Sequence, residues 1–246
     1  MLQTGTVAKC LKIITVSGLL LLAISGCNRA AVEEESQNAD EPTAEQQAEE
    51  VAGEATLQTY TADDFRDLFD QASTWYEVTS EGFALEHLWD EHNRRSSVVR
   101  EDLLSGVRTV PGYWRLLVIA NESDPDAPFT IPYLASLSER VRNLDFKLLE
   151  RADLDDLLIQ IDPYGETARA SMILLNDDYE PVGCRPLRPD ELLQLERERA
   201  ESLTDTLWML TLKDWYMGNR AASQVSLMNL VKSAGDEESD CPIRFE

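Results

Sequence analysis

Residues 114–137 read Trp-Arg-Leu-Leu-Val-Ile-Ala-Asn-Glu-Ser-Asp-Pro-Asp-Ala-Pro-Phe-Thr-Ile-Pro-Tyr-Leu-Ala-Ser-Leu. Trp114 to Ala120 is an apolar run interrupted only by Arg115, the pattern of a buried strand. A polar loop follows from Asn121, and Leu134, Leu137 and Val141 then recur at helical spacing up to Val141. The stretch is therefore a strand that stops, turns and enters a helix. In open α/β folds chemistry gathers at such strand ends.

Upstream, Thr61-Ala62-Asp63-Asp64 is a helix start, with Thr61 as N-cap and Asp64 at the capping-box position. Phe65, Leu68, Phe69 and Ala72 continue it, and Phe83, Leu85, Leu88 and Trp89 suggest a second helical stretch. Asp102 to Gly106 leads through Val110-Pro111-Gly112, a turn signal, into the strand at Trp114. Downstream, Asp145–Leu149 is a short strand and Ala152–Ile161 a helix ended by Asp162-Pro163-Tyr164-Gly165. Ala170–Leu175 and Glu180–Cys184 are strands joined by the turn at Asn176-Asp177-Asp178. Asp190 to about Met217 reads as one long helix, Gly218-Asn219 breaks it, and Ala221–Val231 is a last amphipathic helix. The order is helices, β-α-β-α-β-β, then helices, an α/β arrangement with helices on both sheet faces.

The chain has 246 residues, 43% of them hydrophobic, which suffices for a real core. Its 46 acidic and 22 basic residues give a net charge of −24. Such a surface excludes nucleic acid as a partner, because phosphate binding needs Lys and Arg to displace counterions. It equally disfavours adsorption to anionic lipid.

Residues 1–26 carry Lys9 and Lys12, a short apolar run from Ile13 to Ile24, and Ser25-Gly26 before Cys27. The run is too short for an ordinary membrane span and reads as an export signal. Its ending resembles a bacterial lipobox, which implies cleavage before Cys27 and lipidation of that cysteine. The expected location is the cell envelope, held to a bacterial membrane by lipid and facing the periplasm or exterior. Residues 27–57 form an acidic linker with too little apolar surface to offset chain entropy. With Cys10 in the leader and Cys27 acylated, Cys184 and Cys241 remain. In an oxidising compartment they are either a disulfide that pins the C-terminal end or two unpaired thiols.

Residues 63–234 resemble a branch of the thioredoxin family that has a helical N-terminal extension. In that branch a Leu-Val-Ile strand is followed by Cys-Pro-Asp-Cys, a Val-Pro-Tyr-Leu helix, an acidic hairpin and a Gly-Arg-x-x-Pro-Arg-Pro ending. This chain has Leu117-Val118-Ile119, Ile131-Pro132-Tyr133-Leu134, Asn176-Asp177-Asp178-Tyr179-Glu180 and Gly183-Cys184-Arg185-Pro186-Leu187-Arg188-Pro189. The resemblance implies a thioredoxin-like central sheet with helical N- and C-terminal extensions over residues 58–236, and a tail over 237–246. The motif itself becomes Asp124-Pro125-Asp126-Ala127, so both cysteines are gone. The proline that the family places before its third strand, facing the dithiol, maps to Ala170. Thiol–disulfide exchange needs a thiolate and a resolving thiol, and neither Asp124 nor Ala127 supplies one. Asp124-Pro125 could instead serve as an N-cap and first helical residue, or the helix could begin at Pro128.

Other candidates are weaker. His87 and His92 lie five apart, pointing away from one another on a helix, and fit a solvated polar face better than a metal site. Glu122, Asp124 and Asp126 cluster in one loop, where paired carboxylates could work as acid and base, but the spacing fits no calcium loop. Tyr113, Trp114, Phe129 and Tyr133 are either core or the rim of a peptide-binding groove. Trp75, Tyr76, Trp208, Trp215 and Tyr216 are expected in the core of the helical flanks. No cofactor or metal is implied. The function expected is a non-catalytic binding or scaffold module whose partners are the membrane, through lipid, and a protein or peptide at the cleft. The alternative is an envelope thiol–disulfide oxidoreductase using Cys184 and Cys241.

Overall fold

A computed structural model of the chain describes residues 57–81, 91–92, 94–95, 99–121, 124–150, 154–164, 168–199, 204–236 and 241–246. The leader, Cys27, the acidic linker up to residue 56 and the helical stretch expected around Phe83–Trp89 lie outside the described residues. Helix α1 (Ala62–Gln71) begins as its sequence dictates: the Thr61 hydroxyl accepts from the Asp64 N–H, and the Asp64 carboxylate accepts from the Thr61 N–H at 2.8 Å. Strand β1 (Ser73–Thr74) and α2 (Trp75–Glu81) follow, then α3 (Glu101–Arg108), β2 (Trp114–Ala120), α4 (Ala127–Ser138) and β3 (Leu144–Glu150). Helix α5 (Asp155–Ile161) leads to the hairpin β4 (Ser171–Leu175) and β5 (Pro181–Pro186), and α6 (Asp190–Arg199), α7 (Asp205–Gly218) and α8 (Ala222–Gly235) complete the order.

The five strands lie in the order β1-β3-β2-β4-β5. β2 is the central strand, parallel to β3 and antiparallel to β4, with Leu117 opposite Lys147 on one side and Ile173 on the other. Because strand side chains alternate, β2 feeds two cores. Leu116, Val118 and Ala120 join a cluster built with Leu103 and Val107 of α3, Ile131 and Leu134 of α4, and Leu227 and Leu230 of α8. Leu117 and Ile119 face Phe65 and Phe69 of α1, Leu157 and Leu158 of α5, and Ile243 of the C-terminal segment. Gly183 of β5 packs closely under α8: a Cβ there would meet Leu230 Cδ1 at 2.7 Å. No helix among the described residues is long and apolar enough to cross a membrane.

Several expectations need correction. Helix α4 begins at Ala127, between the two starts open to it at Pro125 and Pro128 and ahead of the periodic residues from Leu134, and runs through Pro132. All twelve of its residues are buried, and a helix apolar on every side is held by its surroundings, which outweigh the one hydrogen bond that Pro132 forfeits. The single long helix expected over 190–217 is two helices, α7 having its own N-cap at Thr204, whose hydroxyl accepts from Leu207 N–H at 3.4 Å. β1, two residues long, carries no periodicity and was not expected; it pairs antiparallel with β3. Tyr76, expected in the core, is 80% exposed. Residues 241–246, expected as a tail, pack on the domain: Tyr60 N–H donates to Arg244 O at 2.8 Å, and Glu246 N–H to Tyr60 O at 3.0 Å.

Candidate functional site

The junction between β2 and α4 is built differently from the helix cap suggested by Asp-Pro. Asp124 closes the preceding loop: its Oδ2 accepts from Asn121 N–H at 2.7 Å, and its own N–H donates to Asn121 O at 3.1 Å. Residue Asp126 holds the N-cap position, but its carboxylate makes no capping bond. Pro128 falls in the first turn, where a missing N–H costs nothing.

Asp126 is instead the hub of a buried polar network. One carboxylate oxygen, Oδ2, accepts from Arg188 Nε at 2.9 Å and Nη2 at 2.7 Å. The other, Oδ1, accepts from the Tyr216 hydroxyl at 2.7 Å. Arg188 continues to Glu196 of α6 at 2.7 Å, Glu196 to Arg169 at 2.9 Å, and Arg169 to Asp162 at 3.5 Å. Charges alternate along this chain, so each buried ion has an opposite neighbour, the condition under which burial is tolerated. Burial alone would lower the Arg188 pKa, but the Asp126 charge, with hydrogen bonds to Asp126 and Glu196, outweighs it and raises it above the usual arginine range. Burial, and then the Asp126 charge, also push the Tyr216 phenol well above its ordinary value. The guanidinium is therefore ionised and the phenol protonated, the states that donate to a carboxylate.

Aromatic side chains pack beside this hub. The Tyr216 ring stacks on Phe129, with centroids 5.0 Å apart and planes at 5°. Leu192 of α6 and Leu212 of α7 complete the same cluster. Phe129 is thus buried against the chain's own C-terminal helices and Tyr133 is buried beside His92, whereas Tyr113, beyond the opposite end of β2, is 38% exposed. Ala127 is fully buried and shares one apolar cluster with Ala170. Ala170 precedes β4, and its carbonyl accepts from Leu187 N–H at 2.8 Å.

His92 was expected on a solvated face; it is buried, because its ring lies edge-on to Phe129 at 4.8 Å with Nδ1 3.5 Å from the Tyr133 hydroxyl. His87 lies outside the described residues, as does Glu122. Burial lowers the His92 pKa, assisted by the charges of Arg95, Arg220 and Lys213 and opposed by Glu91. The sign follows from linkage. The folded chain holds the ring neutral below its ordinary value of 6.5, so the unfolded chain takes up the proton first as pH falls. His92 therefore contributes full stability above about pH 6.5 and loses it toward the lower folded value. Denaturation at pH 7.5 and pH 5 should show this loss, and His92→Phe should reduce it.

The structure does not bring the loop carboxylates together as an acid–base pair; Asp124 and Asp126 have separate partners. Among the described residues, no group of three or more His, Cys, Asp and Glu could hold a metal ion. Cys184 and Cys241 are joined as a disulfide with Cα atoms 4.6 Å apart, tying β5 to the C-terminal segment. Both border a pocket of about 460 Å³. Arg188, Tyr216, Glu196 and Arg169 were missed in the sequence. The available signal was Arg188 itself, a cation set between Leu187 and Pro189 where the flanking residues are apolar.

A family model described as Thioredoxin matches residues 88–201. Two solved structures share the fold: a protein of unknown function from Pseudomonas aeruginosa, and an HIV epitope-scaffold. The first is 15% identical with a TM-score of 0.55, covering 72% of this chain and 99% of its own. The second is 16% identical with a TM-score of 0.54 and the same coverage of 72% and 99%. No curated protein matches the chain. Sheet order, helices on both faces and the family match together identify residues of this chain as a thioredoxin-like domain with helical extensions.

Proposed function

We propose that this chain is a lipid-anchored, exported protein of the cell envelope whose thioredoxin-like domain is non-catalytic and serves as a binding or scaffold module. The observation that carries the reading is Asp126: at the motif where the family places its dithiol, a carboxylate is locked by Arg188 and Tyr216 under a stacked Phe129. Asp124 and Ala127 stand where thiols would be needed, and a fully buried methyl group at Ala127 performs no exchange. The lipid anchor at Cys27 rests on the order of basic, apolar and small residues before it.

A second reading, a thiol–disulfide oxidoreductase working through Cys184 and Cys241, is favoured by the pocket that both cysteines border. One assay separates the two. The full chain is tested for dithiol-dependent reduction of insulin, beside its Cys184→Ser variant. Absence of turnover supports the binding module. Turnover that disappears in Cys184→Ser overturns it in favour of the oxidoreductase.

A further inference from the structure

Residues 241–246 occupy a groove on the α1–α5 side of the sheet in the manner of a bound peptide. The segment runs parallel to the chain at Tyr60, where Phe245 pairs with it. Three bonds hold it: Tyr60 N–H donates to Arg244 O at 2.8 Å, Glu246 N–H donates to Tyr60 O at 3.0 Å, and Arg244 N–H donates to Gln160 Oε1 at 2.9 Å. The Gln160 amide is itself held in place, because its Nε2 donates to Gln58 O at 3.0 Å and to Asp156 O at 3.2 Å. On the side of the segment all three bonds use backbone groups, which any extended peptide carries.

Side chains then set which peptide fits. Ile243 is buried in the cluster that Tyr60, Phe65, Leu157 and Ile161 share. Phe245 lies against Phe65, with ring centroids 6.4 Å apart. Arg244, between them, is exposed, as alternation along an extended segment requires. The groove carries negative charge at this point: burial, and then the charges of Asp156 and Asp64, raise the Tyr60 pKa. An apolar, a basic and an aromatic residue in succession thus complement the groove in shape and in charge, and a chain of net charge −24 favours a cationic partner. A covalent bond keeps the groove filled within the chain. Cys241 is joined to Cys184 of β5, so Ile243 is presented at an effective concentration of roughly millimolar, which a peptide in solution must exceed.

We infer that this groove is a docking site for an extended peptide of another protein with an apolar, a basic and an aromatic residue in succession, and that residues 241–246 are its internal occupant, locked in by the disulfide. The site gives the binding-module reading a partner class and rests on that reading. A dithiol reductant unlocks it. One of its thiolates attacks Sγ of Cys241, the less buried residue of the pair, and Cys184 leaves as a thiolate. The second thiolate of the reductant then displaces Cys241, so two electrons and two protons pass to the pair and the reductant becomes a disulfide.

The test follows the fluorescence anisotropy of a fluorescein-labelled synthetic peptide with the sequence of residues 242–246, titrated with the full chain. The oxidised parent should not bind it. Ile243→Asp removes the internal anchor and leaves the disulfide intact; this variant should bind the peptide saturably, at least about tenfold more tightly than the parent. The parent reduced with dithiothreitol should bind like the variant, and a peptide carrying the same Ile243→Asp change should bind to neither. The variant needs no reduction, so loss of solubility in the reduced chain leaves the proposal decidable. Lack of saturable binding to Ile243→Asp, or equal binding of the two peptides, overturns the proposal. A reduced chain that dimerises and resists the peptide also overturns it, because a second copy is then the occupant. Insulin turnover that disappears in Cys184→Ser would instead overturn the non-catalytic reading, and peptide binding to Ile243→Asp is read separately, so the two failures are distinguishable.

Discussion

Asp126→Ala should be the most damaging single substitution in the polar part of the domain, lowering stability by about 3–5 kcal/mol. Asp126 is 5% exposed, and its carboxylate accepts three hydrogen bonds, two from Arg188 and one from Tyr216. Removing it leaves a guanidinium that cannot shed its proton in a buried site, and a buried phenol without its acceptor. Such a cost is a large share of the 5–15 kcal/mol, roughly, that a domain of ordinary stability has in total. In urea, with a slope of about 2 kcal/mol/M, the midpoint should fall by about 2 M. Asp126→Asn keeps the shape and an acceptor oxygen but not the charge, so its loss should be smaller. Replacing both ions together, as Asp126→Leu with Arg188→Met, should cost less than the sum of the two single changes, because no lone charge is left next to the other. The loss should also resist added salt, which screens exposed pairs far more than buried ones. A stability for Asp126→Ala within about 0.5 kcal/mol of the parent, a surface-like value, would show that the network does not bear on stability.

The contrast between the network and the sheet explains what the sequence could reveal. β2 was readable because its residues are apolar at consecutive positions, and the two cores it separates follow from simple alternation. Thr61 and Asp64 were readable because a capping box is local, three residues from end to end. Asp126 and Arg188 lie 62 residues apart, and Asp126 and Tyr216 lie 90 apart. Nothing in the local pattern distinguishes such a carboxylate from the exposed acids that fill this chain. The same limit applies to His92, whose burial depends on Phe129 and Tyr133 of α4. Helix α4 was legible only in part, for another reason. Its prolines argue locally against a helix, and only complete burial, a tertiary fact, reverses that preference. At the candidate site, then, the order of the loop residues was legible in the sequence, whereas the partners of Asp126 became visible only when distant segments met.

Loss of the Cys184–Cys241 bond is the second large effect expected, through reduction or Cys241→Ala. The bond spans 57 residues; in the chain-entropy account a loop of that length stabilises the fold by about 4 kcal/mol. Its structural consequence should be local first. Cys241 holds the start of a segment in which Ile243 is buried against the α1–α5 side of the sheet and Phe245 lies 6.4 Å from Phe65. Among the described residues, the bonds that otherwise fasten that segment are those of Tyr60 with Arg244 and Glu246, and the Gln160 side-chain oxygen accepting from Arg244 N–H at 2.9 Å. With its covalent tie cut, the segment is short enough to fray. Hydrogen exchange should therefore quicken at Tyr60, Arg244 and Glu246 well before β2 or β4 respond, and global unfolding should follow at a denaturant concentration lowered in proportion to the lost free energy. The order matters for function. If the bond is structural, reduction removes the cover over Phe65 and exposes apolar surface, and the reduced chain should lose solubility. If the pair is a working redox couple, reduced and oxidised forms must both stay folded, and exchange at Tyr60 should be the same in each. The thin fastening of residues 241–246 favours the first outcome.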